Sequence, residues 1–428
     1  MEVKELFGLA LQEHKKKNFL SAEKFYKQIL KTYPNEVSTL NNLGTVLKEL
    51  KKNKEAIFYY EKALLVKPQD IITNYNLGLI FASIEEFQKS KNYYEKVIKI
   101  DSKHLQSYHN MMDIFEKTNN QEKLEEIITK AKSYLKDNSI IKLYEGNLLY
   151  KKEKFSEAIN ILESISFDFN NIKQEQLRVS TLGKCYDRSK YFDKAFDNFS
   201  KANQISFKLK NKNINKNLYL EKIESRNIFF NKLKKEKWPS LKLSEDQTNP
   251  IFIIGFPRSG TTLLDTILSS HPSIEVIEEK SMIPNLIGSL SELTKNKLEN
   301  LRDISNDKVI NLRNSYFKNL HSHIKNKNSS KLYVDKLPLN IIYVGEILRI
   351  FPEAKFIISL RHPCDCVLSC FMQTFEINNA MANFLNLEDS ANLYDHVMKL
   401  WIQYISIFHI NYHEIKYENL VENLEKTI

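Results

Sequence analysis

The chain has 428 residues, 42% of them apolar, with 63 basic and 53 acidic side chains that leave a net charge of +10. That length can bury a real core and exceeds one ordinary domain, so at least two are expected. The excess positive charge is spread along the chain, and runs such as Lys15 to Lys17 read as solvated faces, which argues against nucleic acid as a partner and leaves room for a small polyanion.

The start, Met1 to Glu5, has no apolar leader core, and no apolar run reaches the roughly 18 residues of a membrane span. A soluble, cytoplasmic protein is expected. A period of 34 residues follows: Pro34 recurs as Pro68, Gly44 as Gly78 and Tyr60 as Tyr94. Small residues at Ala22, Ala56 and Ser90 mark points where two helices approach closely. Later units are more worn. Gly146 with Ala158, and Gly183 with Ala195, Phe199 and Ala202, keep the same offsets, while Met112, Leu124 and Ala131 mark a degenerate unit between them. Over residues 1–206 this pattern resembles tetratricopeptide arrays, with about six repeats. The resemblance implies an all-α solenoid of helix hairpins that binds a peptide or another protein. The aromatics Tyr26, Tyr59, Tyr60, Tyr93 and Tyr94 read as packing between helices. Residues 207–248, with a Lys- and Asn-rich stretch at 208–216, a helical run to about Lys235 and then Trp238-Pro239, read as a capping helix and linker.

The composition changes at Asn249. Pro250 to Leu264 reads as a short apolar strand, a glycine-bounded loop and a helix, the outline of a phosphate loop. Gly255 ends the strand, Gly260 lets backbone N–H groups approach an anion, and Thr261 and Thr262 bring hydroxyls to the positive end of the helix. A nucleotide triphosphatase needs Lys where this chain has Thr261, and a carboxylate at the end of a second strand. The strand expected at Ala354–Leu360 ends instead in Arg361-His-Pro. A cation there pairs directly with phosphate, and a sulfuryl group carries less charge than a phosphoryl group, so its transfer needs no metal.

Residues 249–428 resemble the sulfotransferases that use 3′-phosphoadenylyl sulfate, and within them the tetratricopeptide-linked branch related to tyrosylprotein sulfotransferases. The motif Pro257-Arg-Ser-Gly-Thr-Thr262 matches the segment that wraps the 5′-phosphosulfate, which implies donor-binding roles for Arg258, Ser259, Gly260, Thr261 and Thr262. His271-Pro272, Glu278-Glu279 and Ile283-Pro284 match the segment that carries the general base as the second Glu of a pair, hence Glu279, with Glu278 the alternative. Val334 to Asn340 is similar to the segment whose Lys reaches the transferring group, which implies Lys336 as a catalytic residue beside Arg258. Arg361 and Ser369 resemble the pair on the 3′-phosphate. Lys416 to Val421 looks like the late strand segment whose Tyr, here Tyr417, enters the nucleotide pocket. His271 reads as structural, and His362 stays undecided.

The resemblance implies an α/β domain with a central parallel sheet. Two departures accompany it. Gln373 stands where tyrosylprotein sulfotransferases have a further Arg, and family members continue past the position of Ile428 with a helix and a basic loop, so the domain is expected to lack its C-terminal end. Cys364, Cys366 and Cys370 match neither zinc nor redox spacing and read as small helix packers, as befits a reducing compartment. The expected reaction moves a sulfuryl group to an acceptor with a free hydroxyl, a protein tyrosine first and a carbohydrate or lipid next. The alternatives are a protein-binding scaffold with an inactive enzyme domain and, less favoured, a phosphate-loop kinase.

Overall fold

The computed structural model describes residues 3–209, 213–233, 249–324 and 332–427. Trp238-Pro239 and most of the 207–248 linker segment beyond Leu233 lie outside the described residues, as does Ile428. The chain divides into two compact units, Met1–Ala195 and Phe196–Ile428.

The first unit is helical throughout. Its hairpins are α1 (Val3–Lys15) with α2 (Phe19–Thr32), α3 (Val37–Glu49) with α4 (Asn53–Val66), and α5 (Ile71–Ser83) with α6 (Phe87–Ile100). They continue as α7 (Leu105–Lys117) with α8 (Gln121–Tyr134) and α9 (Ser139–Lys151) with α10 (Phe155–Glu163), followed by α11 (Ile172–Arg188) and by α12 (Phe192–Leu209), within which the division falls. Local chemistry repeats with the same period. The residue before α3, α5, α7 and α9 is Glu36, Asp70, His104 or Asn138, and each accepts from backbone N–H groups of the helix it precedes. The turn inside each hairpin passes through Lys17, Lys51, Glu85, Asn119, Glu153 or Lys190, all with positive φ. A bond from the next N–H back across the helix end, as in Lys52 N to Leu47 O at 2.9 Å, closes each turn. Close approach explains the glycines: a Cβ on Gly44 would stand 2.6 Å from Tyr60 Cε1, and Gly78 is covered by Tyr94 in the same way. Ala22, Ala56 and Ser90 are fully buried.

The second unit is built on five parallel strands, β1 (Ile251–Gly255), β2 (Ile274–Glu278), β3 (Leu332–Lys336), β4 (Lys355–Leu360) and β5 (Asn411–Lys416), in the order β2-β3-β1-β4-β5. Helices α13 (Asn217–Lys232), α14 (Thr261–Ser269), α15 (Met282–Leu293), α16 (Asn306–Ser322), α17 (Val344–Ile350), α18 (Pro363–Phe371), α19 (Leu387–Ile407), α20 (Tyr417–Glu422) and α21 (Leu424–Thr427) accompany them. The central strand β1 is covered on both faces, as a parallel sheet requires. Phe252 and Ile254 belong to the main core with Phe356 and Tyr316, and Ile253 packs with Leu264, Val334, Ile415 and Leu420 on the other side. Each such side chain contributes about 2 kcal/mol through burial.

This strand order positions the site. The chain leaves β1 toward β2 at one edge and leaves β4 toward β5 at the other, so a crevice opens beyond the C-terminal ends of β1 and β4. Residues 256–260 and Arg361-His362 lie at those ends. Helix α13, from the segment expected to be a cap and linker, packs on α19 and α17 through Phe230, whose ring meets Tyr404 at 5.2 Å, and through an Arg226–Glu346 ion pair of 2.6 Å that is almost fully buried.

The sequence reading differs from the structure at Lys416–Val421: β5 ends at Lys416, and Tyr417–Glu422 is helix. Its buried positions explain this. Tyr417 and Leu420 are three apart and turn inward while Glu418 and Asn419 are exposed, a helical spacing with an acidic residue in the first turn.

Candidate active site

The loop after β1 is shaped by contacts that pull its carbonyls outward. Pro257 O accepts from Cys370 Sγ at 3.5 Å, Arg258 O from Arg361 Nη1 at 3.4 Å, and Ser259 O from Ser359 Oγ at 2.8 Å. Arg258 takes a left-handed conformation, φ +69°, and Gly260 has φ +100° as the residue before α14, where no side chain caps the helix. The first N–H groups of α14 have no partner within the helix and carry its positive end. They face a cavity of about 230 Å³ lined by Pro257, Arg258, Gly260, Thr261, Thr262, Glu279, Pro338, Arg361, Phe375 and Tyr417. Gly255 must be glycine for a further reason. A Cβ there would stand 2.6 Å from Ser359 O on the neighbouring strand.

Two arginines converge on this cavity. Arg258 Nε donates to Ser369 Oγ at 3.0 Å, so the loop cation and the α18 hydroxyl expected at opposite phosphates meet each other. The Arg361 guanidinium stacks 4.6 Å from the centroid of the Tyr417 ring, and its Nε is buried without a hydrogen-bond partner. Ser259 Oγ is likewise buried and unpartnered. Ser259 does not line the cavity; the unpartnered Arg361 Nε and the open N–H groups at the start of α14 are what fit an anionic group with several acceptor oxygens.

On the other side, Lys336 ends β3 with its side chain fully buried, at the centre of three carboxylates. Its Nζ lies 2.8 Å from Glu278 Oε1, 3.2 Å from Glu279 Oε1 and 3.8 Å from Asp265 Oδ2. Glu278 pairs with Lys336 in the strand register, and the ladder continues through Glu279 N to Lys336 O at 2.8 Å. Glu279 then turns at φ +49°, and of the two glutamates it is the one that lines the cavity. Among the described residues no three His, Cys, Asp or Glu side chains are grouped to hold a metal ion.

Several residues here escaped the sequence reading. Asp265 sits one turn after Thr261 on α14, buried, and burial first of all raises its carboxyl above the ordinary range. A lone acid among Leu263, Leu264 and Ile267 was the available signal. Asp335, just before Lys336, is buried against Tyr316, whose hydroxyl donates to it at 3.1 Å, and burial pushes its carboxyl up to about 7. Phe375 reaches the cavity from an irregular stretch that carries no periodic signal. His271 caps its own turn, its Nδ1 accepting from Ser273 N at 3.2 Å. Gln373 is half-buried and does not line the cavity. Cys366 and Cys370 are buried on one side of α18 with Cys364 exposed on the other, and burial raises the two buried thiols.

A parallel sheet with a glycine-bounded anion loop at its switch point defines the phosphate-loop class of α/β domains. Within that class, residues 250–428 match the sulfotransferase family and form a sulfotransferase-family domain. Residues 37–70 and 72–104 match tetratricopeptide repeats. The chain is 28% identical over 291 residues to an uncharacterized protein of Aquifex aeolicus, covering 64% of this chain and 36% of that protein. It is 31% identical over 113 residues to the protein-tyrosine sulfotransferase of Drosophila melanogaster, 26% of this chain and 23% of that enzyme. With human protein-tyrosine sulfotransferase 1 it shares 32% over 114 residues, 26% of this chain and 30% of the enzyme. The chain thus spans about a third or less of these relatives' own lengths. A tetratricopeptide repeat protein of Parabacteroides merdae aligns at a TM-score of 0.41 with 17% identity, over 56% of this chain and 94% of its own.

Proposed function

We propose that the chain transfers a sulfuryl group from 3′-phosphoadenylyl sulfate to an acceptor hydroxyl, a protein tyrosine first and a carbohydrate or lipid hydroxyl next. The observation that carries this is the single cavity at the ends of β1 and β4 that Arg258, Gly260, Thr261, Thr262, Glu279, Arg361 and Tyr417 line together. The donor supplies an activated sulfuryl group, and every other part of the chemistry falls to the chain's own residues. Ser259, Gly260, Thr261 and Thr262 present hydroxyls and N–H groups to the 5′ end, and Arg361 with Ser369 holds the 3′-phosphate. Arg258 and Lys336 stabilise the charge that develops on the transferred group and the leaving phosphate. Glu279 takes the acceptor's proton. Its place on the cavity favours it over Glu278, whose carboxylate is the closer partner of Lys336.

The repeat array supplies the protein- or peptide-binding element of this reading, consistent with a protein acceptor. No described helix is long and apolar enough to cross a membrane, and the cysteines are free thiols, which suits a cytoplasmic site of action. Thermal unfolding with 3′-phosphoadenosine 5′-phosphate, compared with ATP, tests the donor class. Stabilisation by the bisphosphate that Arg258→Ala and Arg361→Ala each sharply reduce is expected. Stabilisation by ATP alone would turn the assignment to phosphoryl transfer, and by neither to a scaffold.

A further inference from the structure

Arg361 is loosely held by its own polar contacts. Nη1 reaches Arg258 O and Nη2 reaches Asp365 Oδ2, both at 3.4 Å, and Nε has no partner. What fixes the plane of the guanidinium is the Tyr417 ring 4.6 Å away. Tyr417 in turn is the first residue of α20, a helix of six residues, too short to hold its place unaided. Two contacts anchor that start. The ring packs on Gly260, and the next side chain, Glu418, accepts through Oε1 from the N–H of His362 at 2.9 Å. His362 precedes α18 and its own side chain caps nothing, so Glu418 reaches from another segment to satisfy a donor of the chain directly after Arg361. That bond is the first cause holding the Glu418 carboxyl below its ordinary range. Glu418 does not line the cavity.

We infer that Glu418 is a positioning residue: it clips the start of α20 to the backbone after Arg361, and so sets where Tyr417 and Arg361 stand at the cavity. The inference rests on the proposed role of Arg361 on a nucleotide phosphate. Glu418 touches no ligand itself and acts through the two residues beside it.

Calorimetric titration of the full chain with 3′-phosphoadenosine 5′-phosphate tests this with Glu418→Ala, Glu418→Gln, Arg361→Ala and the Glu418→Ala/Arg361→Ala double variant. Glu418→Ala is expected to weaken binding about tenfold, the scale of one charge-assisted hydrogen bond. Glu418→Gln, which keeps an acceptor oxygen, should retain most of the affinity and reports on the clip even if the alanine variant folds poorly. The double variant should lose clearly less than the sum of the two single losses, because the clip acts on binding through Arg361 and the Tyr417 ring stacked on it. Unchanged affinity in Glu418→Ala, or losses that simply add, would overturn the inference while leaving the nucleotide site intact. Failure of the unaltered chain to bind the bisphosphate would overturn the donor assignment, and the inference with it.

Discussion

Gly260 and Tyr417 are packed against each other so closely that a Cβ on the glycine would lie 3.3 Å from both Cγ and Cε2 of the ring and nearer still to Cδ2. The glycine is also at φ +100°, where an L side chain costs about 1 to 2 kcal/mol. The loop that starts α14 and the segment that starts α20 are therefore fitted to one another, and the Arg361 guanidinium stacks on the same ring. Gly260→Ala should lower the melting temperature of the second unit and weaken binding of 3′-phosphoadenosine 5′-phosphate by tenfold or more. Titration calorimetry on a variant confirmed as folded by circular dichroism checks this, and full affinity would contradict it.

Asp335 gives the second unit a pH dependence of defined sign. Its folded carboxyl titrates at about 7 against an ordinary 3.8, because burial disfavours the charge. The folded state therefore holds a proton that the unfolded state releases. The stability this contributes is complete below the ordinary value and is lost as pH rises to the folded one, up to about 4 kcal/mol in all. Urea unfolding from pH 5 to pH 8 should show stability falling with pH, and Asp335→Asn, which can still accept from Tyr316, should flatten the slope. An equally steep slope in the variant would remove Asp335 as its source.

The Arg226–Glu346 pair joins α13 to α17, with the two side chains 6% and 1% exposed. The Tyr343 ring covers the guanidinium at 4.8 Å. Removing one member leaves a buried charge unpaired, so Arg226→Ala or Glu346→Ala should cost about 3 to 5 kcal/mol, and Arg226→Met with Glu346→Leu clearly less than either. Thermal unfolding of the single and double variants measures the difference. A double variant as unstable as the sum of the singles would contradict it.

In the repeat array, Lys51 and Glu85 occupy left-handed turn positions at φ +63° and +62°. Lys51→Gly and Glu85→Gly should each stabilise the array by up to about 1 kcal/mol, the relief of strain being partly offset by the freer unfolded chain. Gly78→Ala, by contrast, has to displace the buried Tyr94 ring and should destabilise it. Denaturant midpoints give the sign of each.

The parts of this molecule written in local patterns were legible in its sequence. Residues that recur every 34 positions, such as Gly44 and Gly78, mark hairpins because each unit solves the same packing problem. The strand, loop and helix around Gly255 and Gly260 follow from neighbours along the chain. Long-range contacts leave no such trace. Asp265 meets Lys336 only once β3 lies beside β1, and Glu418 meets His362 only once β5 pairs with β4. The resemblance puts Lys416 to Val421 in a late strand, whereas β5 ends at Lys416 and the inward turn of Leu420 sets a helical spacing from Tyr417 on. The link between Arg258 and Ser369, expected to serve different phosphates, is likewise a product of β4 bringing α18 next to the loop.

The most direct measurement is transfer of radiolabelled sulfate from 3′-phosphoadenylyl sulfate to protein, carbohydrate and lipid acceptors by the purified chain, with Glu279→Gln and Glu278→Gln alongside. Labelled acceptor is expected with the unaltered chain and with Glu278→Gln. Glu279→Gln should lose about a hundredfold or more while retaining bisphosphate binding. Transfer that survives in Glu279→Gln and vanishes in Glu278→Gln would move the base by one residue, and no transfer by a chain that binds the bisphosphate normally would contradict the central claim.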